Sequence, residues 1–128
     1  MASVLVIEDD RVILEHIGLF LEREGFEVYL APDGVVGFSI YEMHCPDLVI
    51  IDIHLPDKHG LTTIREMQNL APFQKIMAMS GDDLMLKLAR MFGVPYTISK
   101  PFDACSLIAS VHRIIHASPL SHNVLPYL

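Results

Sequence analysis

Acidic side chains, a hydroxyl and a lysine follow four short apolar runs of this sequence. These residues are Glu8 and Asp9 after the first run, Asp52 after the third, Ser80 after the fourth and Lys100 just after the fifth. A carboxylate at the end of a buried strand is costly unless a cation pairs with it. The sequence therefore predicts that these side chains meet and that a cation lies among them.

The donor types indicate which cation and which chemistry to expect. Two carboxylates about 4 Å apart repel each other by about 4 kcal/mol at an effective dielectric near 20, so a cluster of them needs a positive charge. The set contains only oxygen donors and no zinc-type group of histidines and cysteines, which favours Mg²⁺. A carboxylate beside a divalent metal, a lysine and a hydroxyl can accept a phosphoryl group. The alternative is a surface acidic cluster with a lysine counterion.

Alternating strand-like and helix-like segments must position these residues. The predicted strands are Val4–Ile7, Phe26–Ala31, Leu48–Ile51, Ile76–Met79 and Tyr96–Ile98. Five segments with apolar residues at helical spacing follow them. Such alternation predicts a parallel, doubly wound α/β sheet, and sites in these sheets form at the carboxyl ends of the strands.

The spacing of apolar residues also predicts which face of each helix is buried. The predicted buried sets include Val36, Ile40 and Met43 in the second helix and Leu84, Leu88 and Met91 in the fourth. Leu86 falls off that fourth face and is expected to be exposed. Asp10 is predicted to cap the start of the first helix, and Gly25 its end.

Composition limits the class of protein. The 128 residues carry a formal net charge of −7 and are 52% hydrophobic, which suits one domain with a sheet covered on both faces. An acidic chain is not expected to bind nucleic acid by itself. No apolar stretch reaches the length of a membrane span, and the first residues do not resemble a secretory signal. Two cysteines without paired spacing favour reduced thiols, so we expect a cytoplasmic protein that does not interact with membranes.

Five motifs, in order, resemble the receiver domains of two-component response regulators. They are "VLVIEDD", "GFEVYLAPDG", "PDLVIIDIHLPDKHG", "MAMSGDD" and "SKPF", and they extend from residue 4 to about residue 116. The resemblance implies a flavodoxin-like sheet of five parallel strands in the order 2-1-3-4-5, flanked by five helices. We expect a receiver domain over residues 1–117 and a short C-terminal tail over residues 118–128.

The resemblance also implies roles for the metal-binding residues. Asp52 would be the phosphoacceptor and one of the ligands of Mg²⁺. Asp9 would bind the metal directly, Glu8 largely through a water molecule, and His54 through its backbone carbonyl.

The remaining site residues would act on the phosphoryl group. Ser80 matches the hydroxyl that bonds this group after transfer, and Lys100 matches the lysine that pairs with it. The Lys100–Pro101 bond is expected to be cis, as is usual in the family. The phosphoryl donor would be a histidine kinase or a histidine phosphotransfer protein, and the domain would catalyse only its own phosphorylation and dephosphorylation.

Three features depart from the family pattern. Thr97 stands where the family usually has an aromatic residue, and Tyr96 lies one position earlier, on the opposite face of a strand. The segment between the hydroxyl and the lysine is also short. His54 and Asp82 occupy variable positions, and we hypothesise that His54 modulates hydrolysis of the acyl phosphate. The alternative is that its ring points to solvent.

Other functions remain open at this point. A phosphorylation-independent interaction module (a pseudo-receiver) would explain Thr97, and a metal-dependent phosphatase would use similar carboxylates but needs a cap that this chain lacks. Leu86, if exposed, would support a partner or homodimer contact through the fourth helix, fifth strand and fifth helix.

Overall fold

A computed structural model describes residues 1–118, which form a five-stranded parallel sheet with five helices. The elements are β1 (Ser3–Ile7), α1 (Arg11–Arg23), β2 (Glu27–Ala31), α2 (Gly34–His44), β3 (Leu48–Asp52), α3 (Gly60–Leu70), β4 (Lys75–Ser80), α4 (Asp83–Met91), β5 (Tyr96–Ser99) and α5 (Ala104–Ile115). The strand order is β2-β1-β3-β4-β5, and every pair is parallel. The predicted fold class and strand order are confirmed.

Both faces of the sheet are covered, which explains the continuous apolar runs of the central strands. Every residue of β3 is buried, and so are all residues of β1 except the first. One core cluster includes Leu5, Ile7 and Ile51, and the other includes Val6 and Ile50. Because neighbouring residues of a strand point to opposite faces, each central strand contributes to both clusters.

The register of the strands brings their carboxyl ends to one edge of the sheet. Ile7 lies beside Ile51, Asp52 beside Met79, and Ser80 beside Ser99. The residues that follow β1, β3, β4 and β5 therefore lie close together at the carboxyl edge of the sheet, as expected for a doubly wound sheet.

Aspartates begin four of the five helices among the described residues. They are Asp10, Asp33, Asp82 and Asp103, and each accepts a hydrogen bond from a backbone N–H of the first turn. Such a bond satisfies a donor that has no partner within the helix. α3 differs, because the ring Nδ1 of His59 accepts from the N–H of Leu61 at 3.3 Å.

The predictions for both ends of α1 are confirmed. Asp10 accepts from the N–H groups of Val12 and Ile13. Gly25 has φ +90°, a conformation that glycine adopts without steric cost, and its N–H donates to the carbonyl of Glu22.

The predicted buried face of α4 is wrong. Leu84 and Met91 are 63% and 78% exposed, whereas Leu86 is only 5% exposed and Ala89 is buried. Apolar residues cover more than half of this helix, so their spacing does not indicate which part contacts the sheet. The side that faces the sheet contains Leu86 and Ala89. The suggestion of a partner contact through Leu86 fails because this chain buries it.

The predicted face of α2 is also largely wrong. Val36 and Met43 are exposed, and Ile40 is only half-buried. The buried positions are Gly34, Gly37 and Tyr41. A Cβ atom at Gly37 would lie 2.4 Å from the side chain of Ile7, so the helix packs where it has no side chain.

α5 is attached to the sheet at its C-terminal end by Lys75. Its ammonium group donates to the carbonyls of Ile114, Ile115 and Ala117 at 2.8, 3.0 and 2.7 Å. Carbonyls in the last turn of a helix lack the usual N–H partner four residues on, although the Ile114 carbonyl also accepts from the Ala117 N–H at 3.1 Å. A cation at this end also interacts favourably with the helix dipole. Almost all of the predicted tail, residues 119–128, lies outside the described residues. Within residues 1–118, no helix has the length and apolar character needed to cross a bilayer.

Candidate functional site

Three carboxylates meet at the edge of the sheet where β1 and β3 end. One oxygen from each of Glu8, Asp9 and Asp52 lies within 4.8 Å of the others. Glu8 is fully buried and Asp52 is 5% exposed, whereas Asp9 faces solvent. The site is thus open on the Asp9 side and closed toward the core.

Lys100 supplies the positive charge predicted from the sequence. Its Nζ is 2.8 Å from Asp52 Oδ2 and also donates to Glu8 Oε1. The backbone N–H of Lys100 donates to the Ser80 carbonyl at 2.9 Å, which continues the β4–β5 ladder to the site. The Lys100–Pro101 peptide bond is cis, as predicted.

The electrostatics of the two buried carboxyl groups differ. Burial, together with a hydrogen bond to Asp52 and the charge of Asp52, raises the pKa of Glu8 from 4.5 to about 7, even though Lys100 acts in the opposite direction. Burial alone would raise the pKa of Asp52 as well, but hydrogen bonds with Glu8, Lys100 and the backbone of His54 outweigh it and lower that pKa. Asp52 therefore keeps its charge, and Glu8 holds any shared proton in the metal-free protein.

The same contacts act on Lys100. Burial would lower the pKa of its ammonium group, but the hydrogen bonds and charges of Asp52 and Glu8 outweigh burial and raise it. The lysine thus remains a cation. Three carboxylates around one lysine leave negative charge in excess when all three are ionised, and this excess favours a further cation.

The donor set fits Mg²⁺. All three groups offer carboxylate oxygens, one of them faces solvent, and a magnesium ion usually retains several water molecules. Within residues 1–118 this is the only group of three or more potential ligands of the kind that holds a metal ion.

Ser80 lies next to the carboxylates and is fully buried. Its Oγ accepts from the N–H of Asp82 at 2.9 Å and lies 3.0 Å from Nε2 of His54. The His54 side chain is exposed, yet its ring points to Ser80, so the solvent-facing alternative for this ring is wrong. Asp82 itself caps α4 through its side chain, which accepts from the N–H of Leu84.

The loop that follows Asp52 is fixed by two residues to which the sequence reasoning gave no role in the site. Asp57 accepts from the N–H groups of Gly34 and Val35 at 3.2 and 3.1 Å. Burial alone would raise the pKa of Asp57, but these and other backbone hydrogen bonds together outweigh burial and lower that pKa. Gly60 lies so close to β3 that a Cβ atom there would be 2.4 Å from the Asp52 carbonyl oxygen. The turn-forming composition of this segment indicated a loop. It could not indicate the contacts of the loop with α2, because these join residues that are far apart in the sequence.

Thr97 and Tyr96 lie on opposite faces of β5, as predicted. Tyr96 packs against the core cluster that contains α5, whereas Thr97 Oγ1 accepts from Arg90 Nη1 of α4 at 2.8 Å. At the position where an aromatic residue was expected, Thr97 therefore forms a polar contact between β5 and α4.

An apolar groove borders Lys100 on the side of α1. Ile13 and Phe20 of α1, Pro101 and Phe102 line it together with His16, and its volume is about 340 Å³. Lys100, a residue of the carboxylate site, is among the residues that line this groove.

Comparison with known proteins identifies the family. A family model described as the response regulator receiver domain matches residues 4–112. The chain is 32% identical over 120 residues to the transcriptional regulatory protein CseB of Streptomyces avermitilis, and this alignment covers 90% of the chain and 51% of that protein. It is also 32% identical over 117 residues to the cell cycle transcriptional regulator CtrA of Caulobacter vibrioides, with the same coverage. The chain thus spans about half the length of the curated relatives it matches.

Solved structures agree with this assignment. A response regulator receiver domain protein from Clostridium thermocellum superposes with a TM-score of 0.83 at 30% identity, covering 90% of this chain and 94% of that one. A CheY-like receiver domain protein from Methanospirillum hungatei superposes with a TM-score of 0.84 at 26% identity, with the same coverage. The family match, the strand order and the acidic cluster lead to one conclusion: the chain belongs to the response regulator receiver domain family.

Proposed function

We propose that this domain accepts a phosphoryl group on Asp52 from a histidine kinase or a histidine phosphotransfer protein, and that it acts as a Mg²⁺-dependent switch. The observation that carries the proposal is the position of Asp52, a buried carboxylate with a lowered pKa held by Lys100 beside two further acids. A charged carboxylate fixed in this way is a ready nucleophile.

In the transfer step, one Asp52 carboxylate oxygen attacks phosphorus and the phosphorus–nitrogen bond of the donor imidazole breaks. The electron pair of that bond stays on the imidazole nitrogen, which then takes up a proton. Lys100 donates hydrogen bonds to the developing charge on the phosphoryl oxygens. In the later hydrolysis, water attacks the same phosphorus atom, the bond between phosphorus and the Asp52 oxygen breaks, and the Asp52 carboxylate and inorganic phosphate are released.

Glu8, Asp9, Asp52 and the carbonyl of His54 would hold the metal. When bound, Mg²⁺ neutralises charge on the phosphoryl oxygens during transfer. Burial of Glu8 keeps bulk water away from the inner side of the site, while exposed Asp9 leaves the donor side open. The protein supplies the acceptor carboxylate, binding and orientation, and the phosphodonor supplies the phosphoryl group.

Phosphorylation would change the output surface because Ser80 moves toward the phosphoryl group. A ligand shifts a conformational equilibrium only through contacts that differ between the two states, and Ser80 offers such a contact. The adjoining helix α4 exposes Leu84 and Met91, and Arg90 connects it to Thr97 of β5. We infer that α4, β5 and α5 form the surface for an output partner or a homodimer, on the basis of these exposed residues rather than Leu86.

The phosphodonor would contact the groove beside Lys100. A histidine that reaches Asp52 must approach over the open edge of the site, and its protein then lies against neighbouring surfaces. The groove lined by Ile13, Phe20 and Phe102 offers apolar area at that place. The receiver unit proposed here covers residues 1–117 and works in the cytoplasm, where its donors act.

The proposal is tested by intact-mass analysis after incubation with acetyl phosphate, with and without Mg²⁺ and beside Asp52→Ala. We expect a gain of one phosphoryl group that requires both the metal and Asp52. No gain in a folded protein would instead support the phosphorylation-independent module, for which Thr97 is the favourable feature.

A further inference from the structure

The Ser80 hydroxyl has two hydrogen-bond partners in this structure. Its oxygen accepts from the Asp82 N–H at 2.9 Å, and His54 Nε2 lies 3.0 Å away. Ser80 is fully buried, and Nε2 is the acceptor within reach of its proton among the described residues. Because a buried hydroxyl proton without an acceptor is costly, we assign Nε2 as the acceptor and Nδ1 as the protonated nitrogen.

This bond has a consequence for phosphorylation. A serine hydroxyl has one proton, so it cannot donate to His54 and to a phosphoryl oxygen on Asp52 at the same time. The exposed His54 ring can bind bulk water once Ser80 leaves, whereas the fully buried Ser80 side chain is out of contact with bulk water. The bond therefore belongs to the unphosphorylated state and must break when Ser80 turns to the phosphoryl group.

We propose that His54 is a positioning residue that holds the Ser80 hydroxyl in the unphosphorylated state and competes with the phosphoryl group for it. This inference rests on the proposed function and adds how its switch is biased. A site whose competent state is only partly populated binds its ligand more weakly by that fraction. His54 thus weakens the response of Ser80 to phosphorylation, independently of any effect on hydrolysis.

Two substitutions of His54 separate this role from simple space filling. His54→Phe keeps a ring of similar size but has no acceptor, and it also keeps water from replacing Nε2. His54→Gln places an amide oxygen near the position of Nε2 and retains the acceptor. Each is made with Ser80 and with Ser80→Ala, which gives a double-mutant cycle.

The measurement is the affinity for beryllofluoride in the presence of Mg²⁺, by titration calorimetry on the full chain. We expect His54→Phe to bind about fivefold more tightly than His54→Gln, the effect of removing one competing hydrogen bond. The difference should vanish in the Ser80→Ala background. Equal affinities with Ser80 present, or a difference that persists without Ser80, would overturn the proposal.

A nitrogen NMR experiment on the unliganded protein provides a readout that does not depend on phosphorylation. We expect the His54 ring to show an unprotonated, hydrogen-bonded Nε2 that loses this bond in Ser80→Ala and on addition of beryllofluoride with Mg²⁺. A His54 ring that is unaffected by Ser80→Ala would contradict the contact. Failure of the wild-type chain to bind beryllofluoride, with the ring signature present, would instead overturn the proposed function and the competition that depends on it.

Discussion

The substitution Glu8→Gln should stabilise the metal-free protein at alkaline pH and leave it unchanged at acidic pH. Burial and the neighbouring Asp52 raise the pKa of Glu8 from 4.5 to about 7 in the folded state. The folded state therefore binds a proton that the unfolded state has already lost, and its stability falls as the pH rises from 4.5 to about 7. Glutamine resembles the protonated acid at all pH values, so the loss does not occur in the variant.

The size of the effect follows from the shift. At about 1.4 kcal/mol per pKa unit, raising the pKa of Glu8 from 4.5 to about 7 corresponds to between about 3 and about 4 kcal/mol of unfolding free energy at most. The lowered pKa of Asp52 acts in a different window, because its contribution is present above its ordinary value of 3.8 and is lost only as the pH falls below it. Between about pH 5 and about pH 8 the difference between wild type and Glu8→Gln thus reports Glu8.

The assay is urea unfolding with a chelator present, for both proteins across that pH range. We expect the unfolding free energies to converge as the pH falls toward 4.5 and the advantage of Glu8→Gln to grow up to about pH 8. Saturating Mg²⁺ should remove most of this advantage, because a bound cation stabilises the ionised cluster. If the unfolding free energies of wild type and Glu8→Gln changed with pH in the same way, the raised pKa of Glu8 would be refuted.

Two further predictions concern stability, and each has a matched control. Lys75→Met removes three hydrogen bonds to carbonyls at the C-terminal end of α5. It should lower the unfolding free energy, measured by urea titration, by about 2 kcal/mol. The control Lys87→Met replaces an exposed lysine of α4 and should change the unfolding free energy little. Loss of the same amount from both variants would contradict the capping role. Gly60→Ala introduces a Cβ atom 2.4 Å from backbone and should destabilise the domain by about 2 kcal/mol or more, measured by thermal unfolding. Gly81→Ala should be tolerated, because its Cβ atom would lie 3.8 Å from its nearest neighbour. If Gly60→Ala and Gly81→Ala were equally stable, the loop at Gly60 would have to move aside at little energetic cost.

The strands and the convergence of the site could be predicted from the sequence because both depend on local patterns and topology. Apolar runs mark buried parallel strands, and parallel strands place their carboxyl ends together. The meeting of Glu8, Asp52 and Lys100 follows from those two facts alone. Their roles in phosphoryl transfer were implied by family resemblance and remain predictions.

The side-chain face of α2 could not be predicted, because this helix is apolar around most of its circumference. In α4 the charged residues Asp83, Lys87 and Arg90 lie on one side, and the apolar arc that remains is wider than the part that contacts the sheet. The buried positions include the small residues Gly37 and Ala89, and at Gly37 the missing side chain lets the helix lie close to Ile7. A pattern of hydrophobicity gives such small residues little weight. The loop contact of Asp57 with α2 joins positions 22 and 23 residues apart. The His54–Ser80 bond joins residues 26 apart, so neither contact has a local sequence signature.

The central claim is that Asp52 carries the phosphoryl group, and chemical trapping of the acyl phosphate tests it most directly. The chain is incubated with acetyl phosphate and Mg²⁺, reduced with borohydride, digested and sequenced by mass spectrometry. Reduction converts a phosphorylated aspartate to homoserine and leaves free carboxylates unchanged. We predict homoserine at position 52, absent without Mg²⁺. Homoserine at Asp9 or at another acid, or none in a folded protein, would contradict the account.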